Sequence, residues 1–203
     1  MQKNLAQTRR DEIINACAKL YETRSFRDIT VKDIGELLTF GRSTIYNYFQ
    51  TKEEIFLALL AREYDLWTQE LNQVINSHET MTNDELAKIL AHSLSNRERL
   101  LKLLSMNHFD MEANSSQERL TEFKASYGES INILSKCLEK FCPSLNENGR
   151  RDFIYSFLPF FYGIYPYAVV TEKQREAMKA ANVNYCYMSI YELAYNCAKK
   201  LLS

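Results

Sequence analysis

The chain has 203 residues, a quarter of them charged, with only five Gly and three Pro. That length buries a core without cross-links, and the composition excludes both a disordered chain and a loop-rich all-β fold, leaving an all-α protein as the expectation. Net charge is −1 but unevenly spread: residues 1–52 hold nine Lys or Arg against six Asp or Glu, and residues 53–203 hold sixteen against twenty, so the amino-terminal part is the end suited to a polyanion.

A hydroxyl followed three residues later by a carboxylate marks helix starts at Thr8/Asp11, Thr30/Asp33, Thr51/Glu54, Thr82/Glu85, Ser95/Glu98 and Ser115/Glu118. Taken with the apolar spacing, these predict a first helix over 7–23, whose Ile13, Ile14, Cys17, Leu20 and Tyr21 form one stripe. A second helix is expected over 31–38 on Ile34, Leu37 and Leu38, a third over 42–49, and a long fourth from Lys52 with Phe56, Leu59, Leu60 and Trp67. Further helices are expected over 86–93, 97–111 and 116–141, the last ended by Pro143. An eighth runs over 147–169, bent at Pro159 and Pro166, and a final one over 184–202 carries Ile190, Ala194, Cys197 and Leu201 at helix-seam spacing. The organisation read from this is a three-helix domain at 1–52 and a larger helical domain at 53–203.

Residues 29–52, ITVKDIGELLTFGRSTIYNYFQTK, carry the most information. Two short helices joined by a tight turn place the second where it can enter the major groove of B-DNA. Ile45 and Phe49, an i, i+4 apolar pair, would pin the third helix to the first two, turning Ser43, Tyr46 and Asn47 outward with Arg42 and Thr44 beside them. Such a surface offers hydrogen bonds to base edges and phosphates and no carboxylate to repel them.

This segment resembles the helix-turn-helix of the TetR family of transcriptional regulators. Thr30-Val31-Lys32-Asp33-Ile34, Thr44-Ile45-Tyr46-Asn47-Tyr48-Phe49 and Thr51-Lys52-Glu53 match the family pattern without a gap, with Arg42 and Ser43 at its variable pair. The resemblance implies that Thr30 and Lys32 meet DNA from the start of the second helix, that Arg42, Ser43 and Tyr46 read bases, that Thr44, Asn47 and Tyr48 mainly hold phosphates, and that Lys52 anchors the backbone. Against these stand plainer readings: Tyr48 as a core residue and Lys32 as a solvated lysine. The chain departs from the pattern at the turn, with Thr39 where Gly is usual, Gly41 where Ser is usual, and Ser25 where many members have Gly.

For the second domain the resemblance implies a small-molecule site and a two-fold dimer, hence a repressor that leaves a palindromic operator when ligand shifts the fourth helix. Met106, His108, Phe157, Phe161 and Tyr165 are the candidate wall of a site for a largely apolar or aromatic molecule. The alternative is that these aromatics fill the core or the dimer interface. No phosphate loop, nucleophile elbow, metalloprotease helix or spaced Cys/His set is present, so no enzyme, metal site or cofactor is expected. A helical adaptor that never meets DNA is the remaining rival. Five unpaired Cys and a polar first ten residues suit a cytoplasmic protein. The uncharged run at 153–170, broken by Pro159, Gly163 and Pro166, reads as a buried helix and not a membrane span.

Overall fold

In a computed structural model, the backbone is described for residues 2–203 and side chains for residues 5–105 and 108–203. It is all-α among these residues: α1 Gln2–Thr23, α2 Val31–Glu36, α3 Arg42–Ile45, α4 Lys52–Ser77, α5 Asn83–Ser95, α6 Glu98–Ala113, α7 Gln117–Phe141, α8 Glu147–Ala168, α9 Glu172–Ala180 and α10 Ile190–Leu201. The chain divides into two compact units, one of residues 1–62 with 107–127, the other of 63–106 with 128–203.

In the first unit the apolar stripe of α1 is buried as its spacing requires: Ile13, Ile14, Cys17 and Tyr21 lose nearly all exposure. Tyr21 and Phe26 both meet Phe56 edge-on, with ring centroids 5.2 Å and 4.8 Å apart, an arrangement that aromatic quadrupoles favour. α2 is opened by the predicted capping box, in which Thr30 Oγ1 accepts from the Asp33 amide and the Asp33 carboxylate accepts from the Thr30 amide.

The second unit is built round an aromatic column. Trp67 of α4 meets Phe161 of α8 edge-on at 5.3 Å, and Phe157 and Phe153 continue the stack along α8. The indole Nε1 of Trp67 donates to the buried Ser93 hydroxyl at 2.9 Å, which satisfies a polar group the core would otherwise strand. α10 packs on α5 and α8, burying Ala194 and Ala198, so small side chains let it lie close.

Several boundaries differ from expectation. The third helix stops at Ile45, and residues 46–48 continue as a turn closed by bonds from Asn47 N to Thr44 O and from Tyr48 N to Ile45 O, the tighter i→i+3 winding common at helix ends. The eighth helix, by contrast, runs as expected through Pro159 and Pro166. The expected helix over 184–202 starts only at Ile190, capped by Ser189 with Glu192, and 183–189 is non-helical. α9 was not expected at all. It is opened by Thr171 with Gln174 and closed by a Schellman arrangement in which Asn182, at φ 54°, lets Val183 N reach Met178 O. Ser95 and Ser115 are no caps, each hydroxyl donating instead back to the helix before it, Ser95 from the last residue of α5 to Ala91 O and Ser115 from just past α6 to Met111 O.

No single helix among the described residues is long and apolar enough to cross a membrane; α8 and α9 meet that condition only as a pair, across an 80° bend.

Candidate nucleic-acid interface

The interface candidate is built on one buried pair. Ile45 has no exposure and Phe49 almost none, so α3 and the turn after it are held by this side and present the other. Arg42, Ser43, Tyr46 and Asn47 are all exposed there, and Thr44 and Tyr48 are half-buried at its border. Arg42 and Tyr46 act as a unit: the guanidinium lies 5.8 Å from the Tyr46 ring centroid, the i, i+4 spacing placing it over the ring face. A planar donor fork beside a phenol offers both a bidentate donor and a ring to a base edge.

The turn between α2 and α3 needs no glycine. Asn182 is the one described residue with positive φ, so Thr39 sits unstrained in ordinary backbone. Leu37 N and Leu38 N bond to Ile34 O and Gly35 O, which winds α2 down smoothly. Gly41 takes the N-cap of α3 in extended conformation without a side-chain bond. Gly35 faces α3, where a Cβ would make ordinary contacts with Ile45 Cδ1 at 3.5 Å and Arg42 Cβ at 3.7 Å.

At the start of α2, Thr30 is exposed but already engaged. Its hydroxyl donates to the Asp33 carboxylate, and Arg24 adds a bond to the same carboxyl at 3.2 Å. These bonds, first those from Thr30, hold the Asp33 carboxyl below its ordinary range. A phosphate taking that hydroxyl hydrogen must displace Asp33. Lys32 is exposed, 3.9 Å from Glu36. Lys52 is turned inward: its ammonium donates to Phe26 O at 2.9 Å and Ile29 O at 3.2 Å, with Nζ 4.4 Å from the Phe26 ring centroid. It ties the start of α4 to the α1–α2 connection.

The candidate ligand residues are divided between the two units. Phe157 and Phe161 are fully buried in the aromatic column of the second unit, and Tyr165 is half-buried beside it. Burial, with the Glu98 carboxylate, raises the Tyr165 phenol. His108 belongs to the first unit, its ring against Phe109 and 3.8 Å from Glu112; burial lowers its pKa more than Glu112 raises it. Met106 lies outside the described residues. Sequence reasoning passed over Arg119, whose guanidinium reaches Tyr48 O at 2.8 Å. A separation of 71 residues leaves no periodic signal to find it by.

Residues 13–59 match the family described as bacterial regulatory proteins, tetR family, and residues 61–191 match the tetracyclin repressor-like, C-terminal domain. The chain belongs to the TetR family. It is accordingly a helix-turn-helix transcriptional regulator with a family-type second domain. Among solved TetR-like structures, the transcriptional regulator FadR from Bacillus subtilis, in complex with stearoyl-CoA, superposes with a TM-score of 0.62 at 16% identity over 95% of this chain and 97% of that one. A TetR/AcrR regulator from Thermobifida fusca gives 0.62 at 16% over 97% of both. FadR from Thermus thermophilus, a TetR-family repressor in complex with lauroyl-CoA, gives 0.58 at 16% over 95% and 93%. No curated protein matches the chain.

Proposed function

We propose that this TetR-family chain is a homodimeric cytoplasmic repressor that holds a palindromic operator and releases it on binding a largely apolar or aromatic small molecule. The observation that carries the DNA side is the exposed Arg42, Ser43, Tyr46 and Asn47 surface standing on the buried Ile45 and Phe49. In this reading Arg42, Ser43 and Tyr46 read bases, while Thr30, Lys32, Thr44, Asn47 and Tyr48 hold phosphates. Lys52 sets the angle of α4 behind them. Residues 1–52 form the DNA-binding domain and 53–203 the regulatory and dimerisation domain.

A single helix-turn-helix reads few base pairs, so two copies related by a two-fold axis are what make a site selective. The ligand side rests on the aromatic column of α4 and α8, and on Tyr165 beside it. Long-chain acyl thioesters of the kind bound by the two FadR proteins are the first molecules to test, followed by small aromatics. Ligand acts only through unequal affinity for the DNA-bound and released arrangements, and α4 is the element we assign to carry the difference.

Selection of bound duplexes from a random pool tests the reading. Wild type should recover an inverted repeat, and Arg42→Ala or Tyr46→Ala should lose preference at particular positions by about 1–3 kcal/mol each. Recovery of no common sequence by wild type would sink the regulator reading in favour of a helical adaptor.

A further inference from the structure

Residues 48–54, which carry the chain from the recognition turn into α4, are held by a second, discontinuous segment of the same unit. The Glu54 carboxylate, almost wholly buried, accepts from Gln50 N at 2.7 Å through one oxygen and from Ser116 N at 3.0 Å through the other. Thr51 Oγ1 donates to Asn114 O at 3.0 Å. Arg119 forks: one nitrogen donates to Tyr48 O at 2.8 Å, the other to Glu122 at 2.7 Å. Phe49 lies between two guanidinium groups, Arg119 at 5.4 Å and Arg10 at 5.6 Å, and Arg10 in turn bonds Glu122 at 2.7 Å.

These contacts have a common consequence. The carbonyl of Tyr48 and the amide of Gln50, main-chain groups just past the recognition turn, are bonded to side chains, which hold the end of that turn. Every tether runs through a side chain, so each can be removed singly. Burial works to raise the Glu54 pKa, but the bonds from Ser116 and Gln50, with the Arg119 charge, hold it below the ordinary range, so it stays an acceptor.

We infer that Arg119 and Glu54 are positioning residues for DNA recognition: they fix the end of the recognition turn, and so the direction of Tyr46 and Asn47, without touching DNA. This rests on the regulator reading above. Sites that discriminate need supporting groups that lock the contacting side chains in place. The corner between α6 and α7 is therefore part of the DNA-reading machinery, although it lies more than sixty residues from the motif.

The test uses the full chain, an operator selected as above and a scrambled duplex, titrated by fluorescence anisotropy across a salt series. Arg119→Ala should weaken operator binding about tenfold or more, the scale of one lost charge-assisted hydrogen bond. Binding to scrambled DNA at low salt should be retained, and the slope of log affinity against log salt should not change. A slope smaller by about 0.9 would mean that Arg119 itself meets a phosphate and would overturn the inference. Equal losses on both duplexes would reduce Arg119 to a folding role, and no loss on either would leave it none; either overturns it. If Arg119→Ala does not fold, Arg119→Lys, which keeps the charge and loses the fork, and Glu54→Gln, which keeps one acceptor, carry the same measurement. Wild type lacking any preference for the selected duplex would instead overturn the regulator reading and this inference with it.

Discussion

A lysine ammonium that donates to two main-chain carbonyls and rests on an aromatic ring has most of its capacity spent inside the protein. Lys52 does this with Phe26 O, Ile29 O and the Phe26 ring. Lys52→Met keeps the packing stem but leaves both carbonyls short of a donor, and should lower stability by about 2 kcal/mol. The measurement is the urea midpoint, shifted at constant m-value; an unmoved midpoint would show that the ammonium is dispensable to the fold. The motif in the sequence identifies Lys52, but its partners sit in a connection more than twenty residues earlier, and no spacing rule reveals where an ammonium points. Gly41 is the opposite case, an N-cap with no capping oxygen. Its position is open: a Cβ there would meet only Ser43 Oγ, at 3.7 Å. Gly41→Ser should raise stability by a few tenths of a kcal/mol, since Gly is already a tolerable cap, seen as a small rise in melting temperature with operator affinity retained.

Between α2 and α3, Gly35 lies against Ile45 and Arg42. An Ala at Gly35 would make ordinary contacts of 3.5 and 3.7 Å to Ile45 and Arg42, and should be neutral or stabilising by up to about 1 kcal/mol through helix propensity. Gly35→Leu has nowhere to go and should displace α3, removing operator preference while the helical circular dichroism persists. At α5 and α10 the coupling is electrostatic. Asp84 accepts from Tyr195 at 2.6 Å and pairs with Lys88 and Lys199; its bonds from Lys88 and Tyr195 lower its pKa from 3.8 to about 2. A depressed carboxylate contributes stability that is present above its unfolded pKa and is lost as pH falls through the folded one. The urea midpoint should therefore drop between pH 4 and 2 more steeply in wild type than in Asp84→Asn; parallel curves would remove this pair from the account. Helix starts with a strict capping box, Thr82 with Glu85 for example, were legible because the signal is local. The same rule applied to Thr171 with Gln174 and Ser189 with Glu192 would have found α9 and the true start of α10. Ser95 and Ser115 misled because the pattern is blind to a serine that bonds back to the preceding helix.

Over the whole molecule, legibility follows contact distance along the chain. The Ile45 and Phe49 anchors and the outward Arg42, Ser43, Tyr46 and Asn47 were readable from a few residues, whereas the Arg119 tether and the Asp84–Tyr195 bond join groups 71 and 111 residues apart. Assembly lies further still from local pattern, yet the surface of the second unit bears on it. Tyr155 and Tyr167 of α8 are each 62% exposed, with Pro159 and Pro166 exposed between them. Tyr155, Pro159 and Pro166 fall on one side of the helix, the side on which a second copy is expected to sit if α8 carries the dimer. On a two-fold axis any substitution on that side acts twice, because each copy presents the same patch. If α8 pairs with α8 of a second copy, the wild-type melting temperature rises with protein concentration, since assembly stabilises the folded chain by mass action. Tyr155→Arg then places two like charges in the shared surface, abolishes that concentration dependence, and halves the sedimenting mass. It should also cost operator affinity far more than affinity for an isolated half-site, because the link between two recognition turns is what is lost. Sedimentation of wild type as a monomer at micromolar concentration, with operator binding intact, would show that selectivity arises within one copy and would remove the need for the α8 surface.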